Sequence, residues 1–144
     1  PNATRPWQHI LDCVTGYLQL IDHVVNSEEF ESGQAWNFGP SGSDRMTVSQ
    51  FAEHSLQLLD GAFSWRETEY LQPAETSQLE LDSTKAMSHL GWQPLIATKE
   101  AIRLTIEWHQ QVNSGQSPVR VSINQIEDYL VRLSDLGLSL LGSR

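Results

Sequence analysis

One cysteine, Cys13, and two lysines, Lys85 and Lys99, are all that 144 residues contain of those types. A lone thiol excludes an intrachain disulfide and a cysteine-based metal site, which fits a reducing, cytoplasmic protein. Cys13 itself reads as a small buried hydrophobe. Nine Lys plus Arg face 18 Asp plus Glu, a formal charge of -9. That leaves no basic face for a run of phosphates or for an anionic bilayer, so nucleic acid and membrane are not expected partners. No apolar run approaches the roughly 18 to 20 residues a membrane span needs, and the N-terminus lacks the pattern of a signal peptide. The length suits one domain with a real core and is too short for two.

Motifs are also missing. There is no GxGxxG, no GxxxxGK[ST] and no GxSxG, hence neither a glycine-rich phosphate cradle nor a nucleophile elbow. None of Tyr17, Tyr70 and Tyr129 has a lysine four residues later, so a Tyr/Lys proton relay is absent. His9, His23, His54, His89 and His109 are scattered without metal-ligand spacing, and no metal site is expected. The chain begins at Pro1 without an initiator methionine, and an amphipathic pattern starts within a few residues, which reads as a fragment of something longer.

What is present is helical periodicity. Trp7, Ile10, Leu11, Val14, Leu18, Ile21, Val24 and Val25 recur at spacings of three and four, one face of a helix with Pro6 at its first turn. Gly16 inside this pattern costs on the order of 1 kcal/mol relative to Ala and points to a close approach by another backbone. Thr47 and Gln50 have capping-box spacing for a second helix that runs to Gly61. Asp82 is placed to cap a short third helix through Leu90, closed by Gly91. Thr98 opens a fourth that ends near Ser114 and Gly115. Ser122 and Gln125 form another capping-box pair for a last helix from about Ile123 to Leu133. Ala35 to Phe38, Phe63 to Glu67 and Leu79 to Leu81 read as short strands. Trp36, Trp65, Trp92 and Trp108 read as packing residues of the core or its edge.

The fold class is therefore α/β and helix-rich, with about five helices and two or three short strands, and without a complete doubly wound sheet. Residues 1–144 form a single domain.

Two places could carry chemistry. Arg5 precedes Pro6 at a helix entrance, where a guanidinium fork, free backbone N–H groups and the helix dipole outline an anion site. The alternative is an exposed arginine with Trp7 buried behind it. Gln72 and Glu75 lie on a polar loop and could bond ribose hydroxyls or a base edge, or simply belong to a solvated connector. Asp82, Ser83 and Lys85 are accounted for by helix capping and surface charge.

The run Asn2-Ala3-Thr4-Arg5-Pro6-Trp7-Gln8-His9-Ile10-Leu11 resembles the CDP-glucose 4,6-dehydratase branch of the extended short-chain dehydrogenase/reductase family of nucleotide-sugar enzymes. Gly16-Tyr17-Leu18, Ala35-Trp36-Asn37-Phe38-Gly39-Pro40, Leu81-Asp82-Ser83-Thr84-Lys85-Ala86 and Leu90-Gly91-Trp92-Gln93-Pro94 are similar, in order, to landmarks of that family's C-terminal half. The later landmarks are shared with UDP-galactose epimerase and dTDP-glucose dehydratase. Pro6, where other branches tend to have an acidic residue, favours the CDP-glucose branch.

The resemblance implies conversion of CDP-glucose to CDP-4-keto-6-deoxyglucose. Bound NAD takes a hydride from C4, water leaves across C5 and C6, and the hydride returns to C6. It places the catalytic tyrosine and lysine and the NAD loop in an N-terminal half that this chain lacks, so no catalytic or cofactor-binding residue is expected here and the piece is inactive alone. It matches Arg5 to a diphosphate-contacting arginine and puts Gln72 and Glu75 near the nucleoside. Relatives often carry arginine or histidine near Gln72, so an amide there leaves Arg5 as the main cation on the diphosphate. The implied partners are a CDP-sugar and the N-terminal NAD domain, in a cytoplasmic parent that is a homo-oligomer, with this piece a monomer. The alternatives are a UDP-, GDP- or dTDP-sugar epimerase or dehydratase, and a non-enzymatic acidic binding module.

Overall fold

Local signals set most of the helices. Thr47 Oγ1 accepts the Gln50 N–H at 3.2 Å while Gln50 Oε1 accepts the Thr47 N–H at 2.9 Å, the reciprocal cap that starts α2 (Val48–Leu58). Asp82 Oδ1 accepts the Thr84 N–H at 2.9 Å at the head of α3 (Thr84–Leu90), and Gly91 ends it in the left-handed region at φ 66°. In this computed structural model, which describes residues 1–27, 33–59, 63–66 and 76–140, the order is β1 (Thr4–Arg5), α1 (Ile10–Asn26), β2 (Met46–Thr47), α2, α3, α4 (Thr98–Asn113) and α5 (Pro118–Asp135). The strands pair antiparallel with Arg5 opposite Met46 and Thr4 opposite Thr47. Helix α2 packs on α4, α4 on α5, and α1 on α3. Among the described residues this is a helix-rich α/β unit of five helices and one two-stranded sheet.

The strands are not those expected. Ala35 to Phe38 and Leu79 to Leu81 are irregular, as are Phe63 to Arg66; Glu67 lies outside the described residues. Around Ala35 to Gly39 the backbone is satisfied by side chains instead of a ladder. Gln8 Nε2 donates to Phe38 O at 3.0 Å, Lys85 Nζ to Ala35 O at 3.2 Å, and the Gly39 N–H to Ser83 Oγ at 2.9 Å. Near Leu79 the ladder is a single parallel bridge between Gln78 and Thr4.

Two helix starts also differ. Pro6 is not in the first turn of α1, whose N-cap is His9. The intervening residues are held by side chains, Trp7 stacking on Phe51 with ring centroids 4.1 Å apart and its indole N–H donating to Met46 O at 3.1 Å. Helix α5 begins at Pro118, a residue suited to the first helical position, so Ser122 and Gln125 lie inside it. They bond to α4 instead, Ser122 Oγ accepting the Trp108 indole N–H at 3.0 Å and Gln125 Nε2 donating to Leu104 O at 2.9 Å.

Two buried clusters form the core. One joins Ile96, Ala101, Tyr129 and Leu133; the other joins Phe38, Ala86 and Trp92. Of the tryptophans, Trp92 is buried, Trp36 and Trp108 are half-buried, and Trp65 is exposed. Helix α1 meets the core with its polar side: Asp12, Thr15, Gly16 and Gln19 are buried, while Ile10, Val14, Leu18, Ile21, Val24 and Val25 of the apolar stripe are exposed. Cys13 is half-buried on the same helix. A Cβ at Gly16 would come within 2.7 Å of Phe38 Cε1, so the close approach there is by an aromatic ring, not by a backbone.

Candidate functional site

Arg5 sits on β1, four residues before His9 caps α1, so its guanidinium belongs to a strand and not to a helix N-terminus. The dipole part of the anion reading therefore falls away. Its Nη1 donates to Thr4 O at 2.8 Å and to Thr76 O at 3.1 Å. The segment after Thr76 is laid against β1 by the Thr4 N–H donating to Ser77 O at 2.9 Å. Arg5 also lines a cavity of about 50 Å³ with Thr4, Pro40, Arg45, Glu80 and Leu81. Arg45 Nη2 and Glu80 Oε2 are 2.8 Å apart across it, each side chain about half exposed.

The site is anchored from below by Asp44 and Thr98. The Thr98 hydroxyl donates to Asp44 O at 3.0 Å and to Trp7 O at 3.3 Å, and the Asp44 carboxylate accepts the Thr98 N–H. These bonds tie the Arg5 to Trp7 lead and the loop before β2 to the first turn of α4. Among the described residues, no three of His, Cys, Asp and Glu come together as metal ligands.

His9 caps α1 through Nδ1, which accepts the Leu11 N–H at 3.3 Å, a bond that only an unprotonated ring nitrogen can make. Burial holds the His9 pKa below its ordinary value, against the pull of Asp12 and Glu100. Because the folded pKa is lowered, the stabilisation is complete above the unfolded value of about 6.5 and is lost as pH falls through the folded value. Stability by urea denaturation is expected to drop by about 1 kcal/mol, the worth of an N-cap, on acidification from neutral pH. His9→Asn, a cap that does not titrate, is expected to flatten that slope; an unchanged slope would assign the pH dependence elsewhere.

No protein-family model matches the chain. It is 31% identical over 130 residues to CDP-glucose 4,6-dehydratase of Salmonella typhimurium, covering 90% of this chain and 36% of that enzyme. The dTDP-D-glucose 4,6-dehydratases of Homo sapiens and Bos taurus are each 27% identical over 113 residues, covering 75% of this chain and 30% of theirs. The chain is a relative of part of the nucleotide-sugar 4,6-dehydratases. It spans about a third of the length of these curated relatives.

Of the three substrate residues that the dehydratase resemblance implies, the structure describes Arg5; Gln72 and Glu75 lie outside the described residues. Thr76, which follows Glu75 in the sequence, accepts a hydrogen bond from Arg5. Sequence reasoning missed Arg45 and Glu80. Arg45 neighbours Arg5 only through the register that sets Arg5 opposite Met46, and a two-residue strand carries no periodic signal from which that register could be read.

Proposed function

We propose that this chain is the nucleotide-sugar-binding portion of a 4,6-dehydratase acting on CDP-glucose, which converts it to CDP-4-keto-6-deoxyglucose and water. The carrying observation is the 31% identity to the Salmonella enzyme over 90% of the chain, against 27% over 75% for the human dTDP-D-glucose enzyme. In this reading Arg5 binds the diphosphate, and Gln72 and Glu75 face the nucleoside. A guanidinium held by two backbone carbonyls and standing on a strand is a pre-set fork for a dianionic ligand. Arg45, across the same cavity, is paired with Glu80.

The parent enzyme would use NAD, and the residues described here do not fit that cofactor. Strand β2 runs directly into α2 with no intervening turn, and β1 is followed by the Pro6 to His9 lead, so neither offers a glycine-rich phosphate cradle at a strand-to-helix junction. Hydride transfer therefore belongs to the portion of the enzyme that the chain does not span, and the chain alone is expected to turn over no substrate.

A titration with CDP, UDP, GDP and dTDP, followed by tryptophan fluorescence, tests the binding role. CDP is expected to bind in preference to the others, and Arg5→Ala to weaken it at least tenfold, about the worth of a charge-assisted hydrogen bond. A dTDP preference would move the chain to the other dehydratase branch. CDP affinity unchanged in Arg5→Ala would overturn the assignment of the diphosphate to this residue.

A further inference from the structure

Strand β1 is flanked on both edges. Thr4 and Arg5 pair with Thr47 and Met46 of β2 on one side, and on the other the Thr4 N–H donates to Ser77 O at 2.9 Å while Thr4 O accepts the Leu79 N–H at 3.4 Å. Arg45 immediately precedes β2 and Glu80 immediately follows Leu79, so the ion pair between them, at 2.8 Å, spans β1 from edge to edge above the cavity that Arg5 and Pro6 line. What it spans is small. At about 50 Å³ the cavity has room for a few waters and not for a diphosphate, and Thr4, on its wall, has a buried hydroxyl with no hydrogen-bond partner among the described residues.

The charges on this cavity are unevenly committed. Four charged residues line it, Arg5, Asp44, Arg45 and Glu80. The Asp44 carboxylate turns to the Thr98 N–H and the Arg5 guanidinium to the Thr4 and Thr76 carbonyls, while Arg45 and Glu80 turn to each other. An ion pair with both side chains half exposed is weak, because water screens it and two long side chains lose freedom to make it. A phosphate offers the Arg45 fork a stronger, two-pronged partner. In a chain of formal charge -9, a second cation also offsets the repulsion that such a ligand meets.

We propose that Arg45 is the second cation of the diphosphate site and that Glu80 holds the ligand's place until it arrives. The pair is a strap over the cavity: an arriving diphosphate displaces the Glu80 carboxylate, takes the Arg45 guanidinium and opens the space beside Arg5. This rests on the proposed function, and it deepens it by naming what closes the site and where the cation comes from that an amide at Gln72 does not supply. Because an internal carboxylate and the ligand compete for one guanidinium, Glu80 sets how much ligand is needed to open the site.

Titrations of the chain with inorganic pyrophosphate, CDP and cytidine test this. Arg45→Gln is expected to weaken pyrophosphate and CDP about tenfold, the worth of a charge-assisted hydrogen bond, and to leave cytidine unchanged. Arg45→Lys, which keeps the charge without the fork, is expected to recover part of that loss. Glu80→Gln is expected to tighten pyrophosphate and CDP several-fold, and the gain is expected to disappear when Arg45→Gln is added. Both residues are half exposed, so helicity is expected to stay as in the unsubstituted chain. A purely structural ion pair gives no tightening in Glu80→Gln, and that result overturns the proposal. So does a gain that persists in full in the double variant, which would make Glu80 a source of general repulsion alone, and so does a failure of pyrophosphate and every nucleotide to bind. The proposed function is read separately: CDP binding that needs Arg5 but not Arg45 keeps the function and discards the strap, whereas the same dependence on Arg45 and Glu80 with dTDP preferred keeps the strap and discards the CDP-glucose assignment.

Discussion

Asp12→Ala is expected to cost about 3–5 kcal/mol of folding stability, a large part of the roughly 5–15 kcal/mol that a domain of this kind has. The side chain is fully buried and its two oxygens take three hydrogen bonds, from Leu95, Ile96 and Tyr129. Burial pushes the Asp12 carboxyl above the usual carboxylate value, while the Leu95 amide, the Tyr129 hydroxyl and the Ile96 amide pull it back. Alanine removes the acceptor and strands two backbone donors and a hydroxyl away from water, and each orphan carries its own desolvation cost. It also cuts the link that joins α1 to α5 and to the stretch before α4. Asp12→Asn keeps the shape but has one acceptor oxygen where two are used, so about 2–3 kcal/mol is expected. Urea denaturation followed by circular dichroism at 222 nm measures both. A loss under about 1 kcal/mol in Asp12→Ala would show that water replaces the carboxylate and that the latch is not a principal support.

Trp92→Ala is expected to cost about 3–5 kcal/mol through a different mechanism, the cavity left by the largest fully buried side chain. The ring stands edge-on to Phe38 with centroids 5.2 Å apart and belongs to the cluster with Ala86. Its indole N–H donates to the Asp12 carbonyl at 3.0 Å. Trp92→Phe keeps most of the apolar volume and loses that donor, so about 1–2 kcal/mol is expected. Because Trp92 holds the backbone of the residue whose carboxylate forms the latch, the two alanine substitutions should be non-additive, the double variant losing less than the sum. Denaturation midpoints of the four proteins in the cycle give the coupling. Strict additivity would mean that the Asp12 carboxylate and the Trp92 ring support the fold independently of one another.

Elements specified by neighbouring residues were legible without a structure. The Thr47 and Gln50 cap, the Asp82 turn into α3 and the left-handed Gly91 are each set by groups within a few residues of one another, where the physics is local. The kinship to nucleotide-sugar 4,6-dehydratases was legible too, because the Arg5 to Leu11 run and the later landmarks are contiguous in sequence. The spacing of Ser122 and Gln125 shows where local reasoning fails. The same pair that caps a helix can lie within one, and the choice went to Pro118 and to the partners that α4 offers.

The sequence by itself determined that the chain is helix-rich, where most helices stop and which enzymes it is related to, since propensity, capping and similarity are properties of short stretches. Tertiary structure alone decided that Arg5 lies on a strand beside Thr76 and across a cavity from Arg45, and that α1 turns its polar side to the core. Periodicity finds a stripe but does not say which way it faces. That direction was set by where a buried carboxylate finds its three donors, two of them more than eighty residues away and the third farther still.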